Sequence, residues 1–269
     1  MVRLLRVTHH DHSVRRHLLH LKADLHLHTR DEHEPWIAYK TRTLIDRAAS
    51  QGFQVLSITN HNALTWSDDL AAYAASRRIL LIPGVEATVE GKHVLVLNPD
   101  VPPDRLQTFA DLRRLRGPDW LVIAAHPFYP TAFCLGDRLR REIDLFDAIE
   151  FSHFYRPRLD WNRRAVTLAR EVGLPLVGTS DSHIAAQLGT TYSLIEADEP
   201  TVASVLAAIR KGRVSVVSRP LGIEQFIRIG VELALADARH RMARLGAARG
   251  SRRARLDDLG GLEAGEGRG

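Results

Sequence analysis

The sequence contains little cysteine and no long apolar run. One residue of the 269 is a cysteine, Cys134, so no disulfide can form within the chain. No stretch approaches the roughly eighteen consecutive apolar residues of a membrane-spanning helix. Residues 1–20 are rich in arginine and histidine and lack the continuous apolar segment of a secretory signal peptide. These absences predict a cytoplasmic protein that does not contact a membrane.

A strong charge of one sign is also missing from most of the chain. The formal net charge is +5, from 37 Lys and Arg against 32 Asp and Glu. Residues 1–20 carry four Arg and one Asp, and residues 237–269 carry eight Arg and five acids. The excess positive charge therefore lies at the two ends. The central region has no charge bias that would indicate a long nucleic-acid track.

What the chain does contain is a regular alternation of strand-like and helical patterns, from Leu21 to about residue 218. Strand-like runs include ADLHLH at 23–28, FQVLSIT at 53–59 and DWLVIAAH at 119–126. Several runs are almost wholly apolar, as parallel strands covered on both faces should be. With a hydrophobic fraction of 45%, this pattern predicts an α/β fold, either a barrel or a doubly wound sheet.

The two ends of the chain lie outside this alternation. We interpret residues 1–20 as a flexible N-terminal extension and residues 21–218 as the main domain. An Ala-, Arg- and Leu-rich pattern predicts a C-terminal helical segment over residues 219–245. Residues 246–269 are rich in Gly and Arg and poor in apolar residues, which predicts a disordered basic tail.

Half of the histidines follow predicted strands. Together with two acidic residues in matching places, they are His26, His28, His33, His61, His93, His126, His183, Glu86 and Asp181. In an α/β barrel, the strand C-termini and the loops after them build the active site, so these residues should converge. A single histidine at a strand end is usually an ordinary structural residue, but nine such positions in register indicate a metal site.

The local spacing within the first strand suits metal chemistry. His26 and His28 are two residues apart, and such side chains point to the same face of a strand. Both rings can therefore reach one ion. Asp24 is the residue that we expect to orient one of these imidazoles, because a metal-bound histidine usually needs a hydrogen-bond partner on its other nitrogen.

The order of these motifs resembles that of the PHP (polymerase and histidinol phosphatase) superfamily of phosphoesterases, over about residues 21–218. The motifs that carry the resemblance are DLHLHT (24–29), SITNHN (57–62), GVEAT (84–88), His93 in KHVLVL, AHP (125–127) and GTSDSH (178–183). The resemblance implies a distorted seven-stranded (β/α) barrel with a site for two or three divalent ions.

The resemblance also implies how the ligands are shared. His26, His28, Glu86 and Asp181 would hold the first ion. Glu86, as a bridge, would hold the second ion with His93 and His126. The third ion would be held by His33, His61 and His183. Zinc or manganese, or else iron, would be the metal.

The second motif departs from the family pattern. It usually reads Thr-Asp-His, whereas here it is Thr59-Asn60-His61. Asn60 carries no negative charge but can still donate or accept a hydrogen bond next to the metal ligands. If the usual aspartate contributes charge to the site, the third ion is in doubt.

The resemblance implies metal-dependent hydrolysis of a phosphate ester by a metal-bound hydroxide. A small phosphomonoester or nucleotide is the first substrate class. The alternatives are a phosphodiesterase or exonuclease acting on nucleotides or short nucleic acids, and a catalytically silent PHP scaffold whose basic tail binds a partner.

A few further residues could act beside the ligands. His153 follows another predicted strand and could be a general acid, contact substrate or be an ordinary loop residue. Lys40, Arg42 and Arg156 could contact phosphate, or be solvated loop charges. Glu150 could orient a ligand or be structural. Cys134 has no evident base partner, so we interpret it as a bystander thiol.

Overall fold

The computed structural model describes residues 3–6, 18–31, 37, 39–232 and 234–235. Contacts divide the chain into two units, Met1–Phe226 and Ile227–Gly269. Residues 223–232 and 234–235 are helical, within the segment for which the sequence predicts a helix. The remainder of that segment and the predicted disordered tail, 246–269, lie outside the described residues. No helix among the described residues is long and apolar enough to cross a membrane.

Ten strands form one sheet in the described part of the first unit. In chain order they are β1 (Arg3–Leu5), β2 (Leu19–Leu27), β3 (Val55–Ile58), β4 (Leu80–Val89), β5 (Lys92–Leu97), β6 (Leu121–Ala124), β7 (Ala148–Ser152), β8 (Leu176–Thr179), β9 (Thr191–Ala197) and β10 (Val214–Ser218). Their order across the sheet is β1-β10-β9-β2-β3-β4-β5-β6-β7-β8.

The sheet mixes parallel and antiparallel pairs. β2, β3 and β4 are parallel to one another, as are β6, β7 and β8, whereas β5 runs antiparallel to both of its neighbours. β9, β10 and β1 continue from β2 in antiparallel pairs. The structure therefore confirms the predicted distorted α/β barrel. It differs from a simple seven-stranded (β/α) barrel in its extra antiparallel strands.

The α-helices between residues 41 and 210 are α1 (Thr41–Ser50), α2 (Asp68–Ser76), α3 (Phe109–Leu115), α4 (Arg138–Arg141), α5 (Asn162–Val172) and α6 (Val202–Arg210). Side chains cap the N-termini of α2, α3 and α6. The Ser67 side chain accepts a hydrogen bond from the N–H of Leu70, and Thr108 with Asp111 forms a capping box at α3. Gly173 ends α5 with φ of +74°, the left-handed conformation that glycine adopts without strain.

The core surrounds strands that are buried on both faces. Every residue of β3, β6, β7 and β8 is buried, as their apolar patterns predicted. Apolar side chains fill the space between the strands and also the space beneath the helices. This packing fixes the strand ends from which the site is built.

β8 and β9 approach each other closely on one side of the barrel. The N–H of Gly178 donates to Oγ of Ser193 at 2.9 Å, and this hydroxyl donates to the Gly178 carbonyl at 3.0 Å. A Cβ atom at Gly178 would lie 2.7 Å from the Tyr192 carbonyl oxygen and 2.8 Å from Cγ1 of Val216. Only glycine therefore fits this contact without displacement of a backbone.

The structure differs from the sequence prediction near the N-terminus. Residues 1–20 were expected to be a flexible extension, but Arg3–Leu5 pairs with β10, and β2 begins at Leu19. The side chain of Leu5 packs against the core, and Arg3 forms an ion pair with Asp160 at 3.3 Å. A three-residue strand is too short to show a periodic pattern, so its pairing could not be recognised from sequence. Residues 7–17 lie outside the described residues.

Candidate metal centre

The strand ends bring eight of the nine predicted ligands together. β2 supplies His26 and is followed by His28, β4 supplies Glu86, and β5 supplies His93. The segments after β3, β6 and β8 supply the other four, which are His61, His126, Asp181 and His183. The ninth, His33, lies outside the described residues.

One oxygen of Glu86 faces three imidazoles. Its Oε2 lies 3.1 Å from Nε2 of His26, 3.2 Å from Nε2 of His28 and 3.0 Å from Nε2 of His61. The Oδ1 atom of Asp181 approaches the same two nitrogens of His26 and His28, at 3.3 Å and 3.4 Å. The ligand atoms of His26, His28 and Asp181 all lie within 4.8 Å of one another. The Oε2 atom of Glu86 contacts both imidazoles of this group and also that of His61.

The other oxygen of Glu86 faces a second pair of rings. Its Oε1 lies 2.7 Å from Nδ1 of His93 and 3.1 Å from Nε2 of His126. His26, Glu86 and His126 form one group whose ligand atoms all lie within 4.8 Å of one another, and His61, Glu86 and His93 form another. The two oxygens of this one carboxylate therefore join two adjoining groups, which is the geometry that a bridging ligand requires.

A third group of ligand atoms consists of imidazoles. His28, His61 and His183 lie within the same 4.8 Å limit. The ring centroid of His28 is 4.1 Å from that of His183 and 4.6 Å from that of His61. Of the predicted third set, the structure thus brings His61 and His183 together and adds His28.

The spacing of the first group fits a metal ion. Ligand atoms about 2.0–2.1 Å from a tetrahedral ion lie about 3.3 Å from one another, and the distances here are 3.1–3.4 Å. Within the described residues, Nε2 of His26, Oε2 of Glu86 and Oδ1 of Asp181 are buried and make no hydrogen bond. Buried polar atoms without hydrogen bonds are costly, and a shared cation would satisfy all three.

The imidazoles and carboxylates of the cluster stabilise one another's charged forms. Burial opposes the charged form of His26, but Asp181 and Glu86 outweigh it and raise the pKa of this imidazole to about 10. Burial raises the pKa of Glu86, yet the rings of His93 and His26 hold it well below its usual range. The pKa of Asp181 is lowered against burial by His26 and His183 in the same way. The carboxylates are therefore ionised and attract positive charge to this point.

Two of the candidate ligands have an unusual backbone conformation. His126 has φ of +26° and Asp181 has φ of +45°, although neither is glycine. Such conformations cost free energy and persist only where the surrounding structure enforces them, commonly at functional sites. The sharp turns after β6 and β8 thus direct these two side chains into the cluster.

Glu150 on β7 orients His26, a role that the sequence assigned to Asp24. Nδ1 of His26 donates to Oε1 of Glu150 at 2.9 Å, and Glu150 also accepts hydrogen bonds from the Thr179 hydroxyl and the His126 N–H. Asp24 instead accepts from backbone N–H groups of His26, at 3.4 Å, and Ser180, at 3.2 Å. The carboxylate that reaches the ring comes from across the barrel.

Replacing Glu150 with glutamine should weaken metal binding about 10- to 100-fold, the usual effect of losing the partner of a metal-bound histidine. The amide cannot accept all three hydrogen bonds that the carboxylate accepts. Titration with a competing chelator measures the affinity, and Glu171→Gln, at an exposed ion pair with Arg140, is the matched control. Equal affinity in wild type and Glu150→Gln would contradict an orienting role.

Asn60 binds backbone and hydroxyl groups beside the cluster. Its Oδ1 accepts from the Thr29 N–H at 2.7 Å, and its Nδ2 donates to Oγ1 of Thr65 at 2.8 Å and Oγ1 of Thr29 at 3.2 Å. These bonds hold the segment after β2 against the segment after β3. An aspartate could make the same contacts, because hydroxyl groups can also donate.

His153 lies buried at the end of β7, with 1% of its surface exposed. Burial lowers its pKa to about 4, so the imidazole is neutral at pH 7. A neutral imidazole can donate one hydrogen bond, which suits the substrate contact that the sequence left open for His153 better than the role of general acid. Its Nε2 lies 3.1 Å from Nε2 of Gln187, a buried residue that the sequence analysis did not single out.

The three residues that were predicted to contact phosphate lie in different surroundings. The guanidinium of Arg42 lies 4.6 Å from the centroid of the Tyr73 ring, between α1 and α2, so the structure does not bring it to the cluster. Lys40 is exposed just before α1. Arg156 follows β7, and its Nη1 is buried without a hydrogen bond in the described part of the chain. For Lys40 and Arg156, phosphate contact stays a prediction.

Cys134 has a base partner that the sequence did not reveal. Its Sγ lies 3.3 Å from Nδ1 of His126 and 3.1 Å from Oγ1 of Thr131. Burial raises the pKa of the thiol, but His126 and Thr131 lower it below its usual value. The thiol therefore contacts the nitrogen of His126 that faces away from Glu86.

Comparisons with known proteins agree with these observations. The family model described as PHP-associated matches residues 160–214, which include Asp181 and His183. An uncharacterized protein of Methanocaldococcus jannaschii is 28% identical over 146 residues, which make up 51% of this chain and 84% of that protein.

Solved structures share the fold. A two-domain protein from Bacteroides vulgatus, containing a predicted PHP-like metal-dependent phosphoesterase, superposes with a TM-score of 0.61 at 19% identity, over 78% of this chain and 69% of that one. PsfC from Pseudomonas syringae superposes with a TM-score of 0.55 at 17% identity, over 81% and 98% of the two chains. At these identities the likeness concerns the fold. The PHP-associated segment, the barrel fold and the order of the motifs together support membership of the PHP superfamily.

Proposed function

We propose that this protein hydrolyses a phosphate ester with the help of two or three divalent ions held by the histidine and carboxylate cluster. The observation that carries the proposal is the convergence of buried ligand atoms from His26, His28, Glu86 and Asp181 at 3.1–3.4 Å. When bound, divalent ions activate water for attack on phosphorus and offset the negative charge of the phosphate oxygens.

More than one ion is supported by the way Glu86 is shared. Its Oε2 contacts His26 and His28, the two imidazoles that also face Asp181, whereas its Oε1 contacts His93 and His126. A carboxylate with both oxygens engaged on different sides can bridge two ions a few ångströms apart. The His28, His61 and His183 group would hold a third ion, with His33 as a predicted further ligand.

The mixture of donors favours particular metals. Imidazole nitrogen suits zinc and iron, and carboxylate oxygen suits manganese, whereas magnesium and calcium prefer sites made of oxygen alone. We therefore propose zinc or manganese, with iron as a third metal to test. The affinity order of these metals does not decide which one is bound in a cell.

Two buried nitrogens in the segment after β7 support a phosphate substrate. Nδ1 of His153 and Nη1 of Arg156 make no hydrogen bond within the described residues, and both residues belong to the segment after β7. A guanidinium and a neutral imidazole N–H are both suitable donors to phosphate oxygens. A small phosphomonoester or nucleotide is the substrate class that we propose first.

The experiment combines elemental mass spectrometry of the purified chain with hydrolysis of a chromogenic phosphomonoester and a chromogenic phosphodiester, with Mn²⁺ or Zn²⁺ added. We expect two to three ions per chain and turnover that a chelator abolishes. The ratio of the two rates ranks monoesterase against diesterase activity. Less than one ion per chain, with no turnover after reconstitution, would overturn the proposal.

A nuclease acting on short nucleic acids is the second candidate, and the arginine-rich ends of the chain favour it. Binding through several phosphates releases counterions, so the affinity of a nuclease should fall steeply as salt rises. Binding of a small monoester should change much less. Fluorescence anisotropy with a labelled oligonucleotide at 50 and 200 mM salt separates the two.

Replacing Asn60 with aspartate tests the catalytically silent alternative. Because the surrounding hydroxyls can donate to a carboxylate, we expect a change in unfolding free energy below about 1 kcal/mol and less than about a tenfold gain in metal affinity. Metal titration with thermal unfolding measures both, with Asn98→Asp, at an exposed bond to the Asp119 carbonyl, as control. Metal binding that appears only in Asn60→Asp would instead mark the natural site as degenerate.

A further inference from the structure

Gln187 is a buried residue that organises the segment carrying two candidate ligands. It has no exposed surface. Its Oε1 accepts hydrogen bonds from the N–H groups of His183 and Ile184, each at 2.8 Å. Its Nε2 donates to the Asp181 carbonyl at 3.0 Å. One side chain thus spans both ends of the turn from Asp181 to Ile184.

These contacts fix which way the amide of Gln187 points. Two backbone N–H groups require an acceptor on one side, and the Asp181 carbonyl requires a donor on the other. A flipped amide would place its N–H₂ against two N–H groups and its oxygen against a carbonyl oxygen. Oxygen and nitrogen are therefore assigned by the bonding pattern, which leaves one orientation.

The same orientation of the Gln187 amide determines which ring nitrogen of His153 carries the proton. Nε2 of Gln187 lies 3.1 Å from Nε2 of His153 and can only donate. The imidazole nitrogen must then accept, so the proton of the neutral ring resides on Nδ1. Nδ1 of His153 is buried and makes no hydrogen bond in the part of the chain that the structure describes.

We propose that Gln187 is a positioning residue: it shapes the Asp181–Ile184 turn and fixes His153 as the Nδ1–H tautomer, whose N–H donates to a phosphate oxygen of the substrate. The last step rests on the proposed function. Gln187 itself contacts neither the substrate nor a metal. Its effect on the reaction passes through His153 and through the placement of Asp181 and His183.

The substitution Gln187→Glu distinguishes this positioning role from simple packing. The variant Gln187→Glu keeps an acceptor for the His183 and Ile184 N–H groups, but it presents a second acceptor to His153. Nε2 of His153 must then carry a proton. Gln187→Met has a similar volume and no hydrogen bonds, so it releases both constraints. Gln107→Glu, at an exposed glutamine that donates to the Asp104 carbonyl, is the control for the chemical change alone.

Imidazole nitrogen NMR on the full ¹⁵N-labelled chain, as purified and after zinc loading, reads the tautomer directly. The His153→Leu spectrum identifies the resonances of His153. We expect a protonated Nδ1 and unprotonated Nε2 in wild type and Gln107→Glu, and a protonated Nε2 in Gln187→Glu. A wild-type ring protonated at Nε2 would overturn the assignment, whether or not the protein hydrolyses phosphate esters. If Gln187→Glu does not fold, loss of the single tautomer in Gln187→Met is the supporting result.

Binding of inorganic phosphate and steady-state kinetics test the donation step. Loss of one hydrogen bond to a charged group should weaken phosphate binding about 10- to 100-fold in His153→Leu, whose side chain has no donor. Metal content should stay at the wild-type value in His153→Leu, because His153 is not a ligand. Unchanged phosphate binding in His153→Leu, with the tautomer as expected, would overturn the donation step. A wild-type chain that binds no metal would instead count against the proposed function.

Discussion

Replacing Glu86 with glutamine is expected to remove metal binding and hydrolysis together. The two oxygens of Glu86 face rings on both sides of the cluster, at 2.7–3.2 Å from five imidazole nitrogens. Glutamine has the same shape but no charge, and one of its two polar ends is a donor that cannot bind a cation. Every ligand group that uses Glu86 would therefore lose its negative charge at once.

The expected fall in kcat is estimated from what a single preorganised group contributes to catalysis. Loss of one such group typically lowers kcat about 10²- to 10³-fold. Since Glu86 serves two ligand groups, we expect a fall of about 10³-fold or more, and a drop in metal content to one ion per chain or less. Elemental mass spectrometry and the chromogenic assays measure the two effects on the same sample.

The control separates loss of metal from loss of folding. Glu199→Gln makes the same chemical change at an exposed position beyond β9 and should leave metal content and turnover as in wild type. Circular dichroism establishes whether Glu86→Gln is folded. A folded Glu86→Gln protein that keeps its ions and its turnover would contradict the central role of this carboxylate, and with it the proposed function.

The positions of the candidate ligands could be predicted because they depend on a simple rule of the fold. Polar residues at the ends of buried strands converge at one edge of a barrel, and His26, His61 and Asp181 follow that rule. Alternation along a strand places His26 and His28 on one face. These expectations need only the local sequence and the fold class, so they did not require knowledge of which strands are neighbours.

Which partner serves which ligand could not be predicted in the same way, although Glu150 was one of the residues that could orient a ligand. Glu150 lies 124 positions from His26 in sequence. Its carboxylate reaches the ring only because β8, which pairs with β7, also contacts β2. Asp24 was a reasonable expectation from its closeness in sequence, but its carboxylate instead accepts backbone N–H groups. Gln187 carries no charge and no motif, so no pattern distinguished it from other polar loop residues.

The antiparallel strand pairs could also be predicted only in part from the sequence. Glu90 and Gly91 join β4 to β5 with φ of +48° and +74°, the conformation of a two-residue hairpin turn, so this antiparallel pair joins segments that are adjacent in sequence. Pairing of β9 with β2, and of β1 with β10, joins segments that are far apart in sequence. Such pairing depends on closure of the whole sheet, which local periodicity does not encode.

The second large effect that we expect is a loss of stability at the contact between β8 and β9, which closes the barrel. Replacing Gly178 with alanine should lower the free energy of unfolding by about 1–3 kcal/mol, as overpacking of a filled core does. The added Cβ would lie 2.7 Å from the carbonyl oxygen of Tyr192. A backbone atom cannot rotate away, so β8 and β9 would have to separate, which would strain both hydrogen bonds between Gly178 and Ser193.

Urea unfolding followed by circular dichroism measures this change, and Gly222→Ala is the matched control. A Cβ atom at Gly222 meets nothing within 4 Å, so the control should change stability by less than about 0.5 kcal/mol or raise it slightly, since alanine has less conformational freedom than glycine in the unfolded chain. Because Asp181 lies three residues beyond Gly178, metal affinity should also fall in Gly178→Ala and stay unchanged in Gly222→Ala. Equal stability of the two variants would show that β8 and β9 can separate without cost, and that Gly178 does not limit closure of the barrel.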